Sequence, residues 1–173
     1  MMRTGIKHQP NRFRSYQEIH STVISQFKAR DFIGAETLYF ESIAYGISLA
    51  GEIACLGNIV VSVQKFIEIL DGSGDNALVQ TKWYSYNVFI RGQYNIFRYD
   101  NQDDGFLRPD HQDEHHKHIF DWKTGEELPN SPVWLGEDNW LTLGEVLQEV
   151  EDWYWQNREK LAKPDIYPEL DLR

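Results

Sequence analysis

The sequence predicts an α+β fold: an antiparallel sheet of about four to six strands, built from consecutive hairpins and flanked by an N-terminal and a C-terminal helix. Three observations predict it. Capping-box signatures followed by helical periodicity occur near both ends, at Ser15/Glu18 and at Thr142/Glu145. The region between them is rich in aromatic and β-branched residues. Two glycine-first dipeptides, Gly57-Asn58 and Gly92-Gln93, punctuate that region as tight hairpin turns would.

The elements follow in order. Residues 1–14 are polar and basic and read as a flexible tail. A helix is expected from near Tyr16 to near Asp31, with Ile19, Val23 and Phe27 on one face. Leu38 to Leu56 reads as extended. A type II′ turn at Gly57-Asn58 then leads into Ile59–Leu70, where Ile59, Val61, Val63, Ile67 and Ile69 share a face and Lys65 is the exception. Asp71–Asn76 is a flexible connection. Strands are expected over Leu78–Arg91, Tyr94–Asn101 and Lys117–Trp122, with an acidic loop at 102–114 and a turn at Lys123–Glu126. Residues 126–140 read as irregular. The closing helix should bury Val146, Leu147, Val150, Tyr154 and Leu161. The organisation is one α+β domain over 15–163, with a loose tail over 164–173.

Composition narrows the class. A chain of 173 residues, 41% hydrophobic and 14% aromatic, is not disordered and can bury a core as one domain. No apolar run reaches the roughly 20 residues a bilayer requires, and no leader-like apolar segment opens the chain. One cysteine, Cys55, excludes an internal disulfide and a Cys-based zinc site. A cytoplasmic protein is expected, with no membrane partner and no cofactor. Charge is uneven: residues 1–30 hold six Lys/Arg and one acid, a net of +5, so the rest carries −15 to give the overall −10. That acidic body does not suit a general nucleic-acid binder. The basic segment is either solvated or docks on an acidic partner, on nucleic acid or on the body.

The chemistry concentrates between Lys82 and Asp121. With a strict two-residue turn at Gly92-Gln93, Tyr86 pairs with Tyr99, Asn87 with Arg98, and Ser85 with Asp100. One face then carries Tyr84, Tyr86, Val88, Phe97, Tyr99 and Asn101 and reads as core. The other carries Trp83, Ser85, Asn87, Arg98 and Asp100. Arg98 and Asp100 read either as an ion pair or as a phosphate clamp, since a guanidinium fork binds phosphate oxygens bidentately. Tyr84 and Tyr86 read as core, as a stacking platform or as phenolic acid/base groups. His115, His116 and His118 include two on one side of a strand. They are structural groups, metal ligands with Asp113 or Asp121, or a general acid and base titrating near neutrality. No recognised metal-ligand spacing such as HExxH is present.

Residues 48–155 together resemble a known family. Gly51-Glu52-Ile53, Tyr84-Ser85-Tyr86, Arg98-Tyr99-Asp100-Asn101, His115-His116-Lys117-His118, Asp121 and Leu141–Leu147 are similar, in order and spacing, to the TumE family. These are small prokaryotic proteins, long known only as a domain of unknown function and assigned as toxins of toxin–antitoxin pairs. The resemblance implies a small helix-turn-helix antitoxin as partner. The plan is also similar to RelE-like ribonuclease toxins at the level of fold alone. The chain departs from shorter members by its basic helical N-terminal extension and by the acidic loop ahead of the histidines, which would repel RNA phosphates.

Three functions follow as expectations. As a metal-independent endoribonuclease toxin, Arg98 would hold the scissile phosphate and His116 or His118 would be base or acid. Asp100 would orient the arginine, and Tyr84 and Tyr86 would stack or donate. Lys82, Lys117, Asn101 and His115 would contact RNA. As a non-enzymatic binding module, the chain would dock a partner through a sheet edge or its basic arm. As a metal-dependent phosphoesterase, it would use the His/Asp cluster.

Overall fold

The computed structural model describes residues 8–101 and 115–171. The α+β plan is observed, with two α-helices and more strands than expected among the described residues. β1 (Asn11–Arg12) runs into α1 (Phe13–Ala29). Then come β2 (Ile33–Glu36), β3 (Tyr39–Ile43), β4 (Gly46–Cys55), β5 (Ile59–Asp71), β6 (Leu78–Ile90), β7 (Asn95–Asp100), β8 (His116–Ile119) and β9 (Val133–Trp134). α2 (Leu143–Asn157) follows. These nine strands join one sheet by antiparallel pairing, in the order β2-β4-β5-β6-β7-β8-β9, with β1 on β6 and β3 on β4. The additional strands are short ones, β1, β2 and β9, plus the β3–β4 hairpin turning at Ala44-Tyr45. Elements of two to four residues carry no readable period.

The sheet has one apolar face, and both helices cover it. α1 buries His20, Ile24 and Phe27, and α2 buries Leu143, Val146, Leu147, Val150 and Tyr154. They pack over Ile53, Val61, Val63, Tyr86 and Val88. Each such aliphatic side chain contributes about 1.5–3 kcal/mol by leaving water. Val146, Leu147, Val150 and Tyr154 are buried on the closing helix as expected; Leu161 is buried too, but it lies four residues beyond the end of α2.

Several local expectations are corrected. α1 starts at Phe13, not Tyr16, and Ser15 is not its cap. Its N-cap is Arg12, without a side-chain bond. Pairing of β1 with β6 delivers the chain into the helix early, where Phe13 N–H donates to Ala77 C=O at 2.9 Å. Glu18 pairs with Arg14 instead, at 3.3 Å. The Thr142/Glu145 capping box forms as expected: Glu145 N–H donates to Thr142 Oγ1 at 3.2 Å, and Thr142 N–H donates to Glu145 Oε2 at 2.9 Å. The Gly57-Asn58 turn has positive φ at both residues, 81° and 60°, so it is not type II′.

The described parts of the two tails are packed rather than loose. His8 stacks on Trp140 with ring centroids 3.5 Å apart. At the other end, Asn58 N–H donates to Ile166 C=O at 2.8 Å and Arg91 Nε to Glu169 C=O at 3.1 Å. The Tyr167 hydroxyl donates to Asp31 C=O. The acidic loop at 102–114 lies outside the described residues.

Two substitutions test this account of the α2 packing by urea unfolding. Leu147→Ala should cost about 2–5 kcal/mol, because it opens a cavity under the helix. Thr142→Ala should cost about 1 kcal/mol through the lost cap.

Candidate functional site

The β6–β7–β8 register aligns polar side chains on the sheet face opposite the helices. Asn87 pairs with Arg98, and Arg98 with His118. Ser85 pairs with Asp100, Asp100 with His116, and His116 with Trp134. Ser62 and Gln64 of β5 extend the two rows through their pairing with Asn87 and Ser85. Side chains opposite one another across such a ladder are in contact range. The register expected from the sequence therefore holds for residues 85–88 against 97–100. Its turn does not: Ile90 N–H donates to Tyr94 C=O at 3.3 Å across a three-residue loop, and a bulge between Val88 and Phe89 absorbs the difference.

At the centre of these rows, two carboxylates hold two imidazoles and a guanidinium. Arg98 Nε donates to Asp100 Oδ2 at 2.9 Å, and His116 Nε2 to Asp100 Oδ1 at 2.7 Å. His118 Nδ1 donates to Glu127 Oε1 at 2.6 Å. Burial alone would raise the Asp100 carboxyl, but the His116 hydrogen bond and charge, with Arg98, outweigh it and hold it below its ordinary value. The Ser131 hydroxyl and then, against a cost of burial, the His118 bond hold Glu127 low as well. Both carboxylates are thus ionised acceptors, so the histidine nitrogens facing them carry the protons. His118 Nε2, on the far side of that ring from Glu127, is buried with no hydrogen-bond partner among the described residues. Asn87 Oδ1, in the same row, is likewise buried and without a partner among the described residues. Arg98 is 38% exposed at its side chain and makes no hydrogen bond from its terminal nitrogens among the described residues.

Of the ten residues singled out by sequence, Arg98, Asp100, His116 and His118 form this cluster. The other six lie elsewhere. Tyr84 and Tyr86 are buried on the core face. The Tyr84 hydroxyl contacts His115 Nδ1 at 2.8 Å, and Tyr86 donates to Leu141 C=O at 3.4 Å. His115 is only 1% exposed, with its ring 4.5 Å from Trp140. Asn101 clamps the strand end: its Oδ1 accepts from Tyr84 N–H at 2.8 Å and its Nδ2 donates to Lys82 C=O at 3.1 Å. Lys82 is exposed beside a register shift in β6. Lys117 lies on the helix face over the Phe97 and Tyr99 rings, at 4.7 and 5.1 Å, and donates to Glu149 of α2.

Sequence reasoning missed Glu127, Ser131 and Trp134. They sit in the stretch read as irregular, which folds back along β8. Ile119 N–H donates to Ser131 Oγ at 2.9 Å, and Phe120 bridges to Glu127. No local signal marks them, because the contacts depend on the path of the fold-back. The Asp100, His116 and His118 ligand atoms all lie within 4.8 Å of one another, a two-histidine, one-carboxylate set that suits a divalent transition metal. Glu127 on His118 Nδ1 would then orient that ligand.

Asp100 gives a pH-dependent test. Its depressed carboxyl stabilises the fold at pH values above its unfolded value of about 3.9, and that contribution fades as pH falls through the lower folded value. Asp100→Asn should therefore cost about 1–3 kcal/mol at pH 7, and the gap from wild type should close in urea unfolding below about pH 4. No family model, no curated protein and no solved structure matches this chain.

Proposed function

We propose that the protein is the toxin of a toxin–antitoxin pair and cleaves RNA without a metal ion, with a small helix-turn-helix antitoxin as its partner. The observation that carries the catalytic part is the Arg98–Asp100–His116–His118–Glu127 cluster on the helix-free face. The guanidinium keeps its terminal nitrogens for a phosphate, and Asp100 fixes its direction. In its neutral form, with Nδ1–H on Glu127, His118 offers Nε2 to take the 2′-hydroxyl proton. The 2′-oxygen then attacks phosphorus, and His116 protonates the departing 5′-oxygen. The toxin role and its partner rest on the resemblance of residues 48–155 to the TumE family.

A second reading has its own support. A His118 Nε2 buried without a partner among the described residues, beside Asp100 and His116, is also what a divalent ion would need, and would make the chain a metal-dependent phosphoesterase.

Induction in a bacterial host separates the readings. Wild type should arrest growth with loss of intact RNA. Arg98→Ala and His118→Gln, folded by circular dichroism, should each lower cleavage by about 10²–10⁴-fold. Activity that survives chelation supports the metal-independent reading, and activity restored only by Mn²⁺ or Zn²⁺ supports the second. Intact RNA with well-folded wild type would leave a non-enzymatic module that docks a partner by a sheet edge or the basic N-terminal arm.

A further inference from the structure

Lys65 is the polar exception on the apolar face of β5, and it is 6% exposed. It lines a cavity of about 260 Å³ between α1, the sheet and the start of α2. Its Nζ lies 3.3 Å from His20 Nε2 and 3.4 Å from the Tyr16 hydroxyl. The Tyr16 and Tyr86 rings stand 5.6 and 5.4 Å away. Among the described residues, no carboxylate comes within ion-pair distance of Lys65. Glu145 of α2, whose charge reaches the Tyr86 hydroxyl, is engaged in the Thr142 capping box. A buried ammonium without a counter-ion is costly, and proteins normally pair it or neutralise it.

Ile19, Val23, Trp140 and Leu143 give the cavity an apolar wall, and Asn11, Thr81 and Thr142 add polar groups at its lining. A benzene-sized body fits such a space, since an apolar cavity of about 150 Å³ holds benzene. Ligand sites combine this kind of apolar wall with a few converging polar groups. We propose that this cavity binds a small carboxylic acid with an aromatic or branched apolar body, its carboxylate on Lys65 Nζ and its body against Trp140. This site lies on the helix side of the sheet and does not rest on the ribonuclease reading.

The proton inventory of the cavity is simple. Burial lowers Lys65 to about 7. His20 is pushed down to about 2 by burial and by Lys65, and burial raises Tyr16 to about 12. Tyr86 is raised well above its ordinary value by burial. His8 stacks on Trp140 at the cavity edge. Of the groups that burial shifts here, Lys65 is the one brought near neutrality. A bound carboxylate favours its protonated form, so binding at pH 8 takes up a proton.

Isothermal titration of the full chain with phenylacetate tests this. Saturable binding is expected at pH 7, at least tenfold weaker at pH 9. Proton uptake at pH 8 should show as a dependence of the heat on buffer ionisation. Phenylacetamide, the uncharged analogue, should bind at least tenfold more weakly at pH 7, and this comparison needs no variant. Lys65→Met, which keeps the volume, should lose phenylacetate binding while its circular dichroism stays native. Absence of binding to wild type at millimolar phenylacetate overturns the proposal. So does equal affinity for phenylacetamide, or a folded Lys65→Met variant that binds phenylacetate as well as wild type.

Discussion

The backbone ladder of β5, β6, β7 and β8 is the constraint on which the rest depends. β5 and β6 are 13 residues each and pair along nearly their whole length. A strand shows alternate residues to opposite faces, so one register assigns every side chain at once. With Tyr86 opposite Tyr99, the apolar set faces the helices, and Arg98, Asp100, His116 and His118 are forced onto the other side. A slip of one residue would bury the cluster under α2 and expose the tyrosines. The hydrophobic drive that fixes the core therefore also fixes the geometry of the polar cluster.

The two faces consequently handle charge differently. On the outer face, acids and bases pair directly and the carboxylates are kept ionised. On the helix face, the ionisable groups are spread among aromatic rings, and burial sets their state. Lys117 is the intermediate case. It lies over two rings yet reaches Glu149, and Tyr99 donates to that same carboxylate at 2.6 Å, so α2 is tied to β7 and β8 by a polar contact as well as by packing.

Much of this was legible in the sequence where parity or a local motif decides the matter. The face assignment of residues 84–100 needed only alternation and one anchor. It survived a wrong turn length, because the bulge added one residue where the loop had taken one. The Thr142/Glu145 box was legible because both partners lie within one turn. The Ser15/Glu18 pattern has the same spacing but a different outcome. There, a strand pair with residues 78 and 79 fixes where the helix begins, and no local pattern reports a contact so far along the chain. Glu127 was illegible for that reason too, and so was the packing of Ile166–Asp171 over the β4–β5 and β6–β7 turns.

The fold-back after β8 also decides how the sheet can grow. β8 presents its outer edge to residues 127–135: Ile119 N–H is taken by Ser131, Ile119 C=O accepts from Leu128 N–H at 2.9 Å, and His116 and Lys117 pair with β9. An edge whose hydrogen-bonding groups are already satisfied cannot template another chain, and the two residues of β9 are too short a ladder to extend. Assembly by main-chain pairing is thereby polarised. Among the described residues, the β2/β3 end offers a longer edge than the two-residue β1 and β9, and it lies four strands away from Arg98, so growth of the sheet there and access to the polar face do not compete for the same backbone.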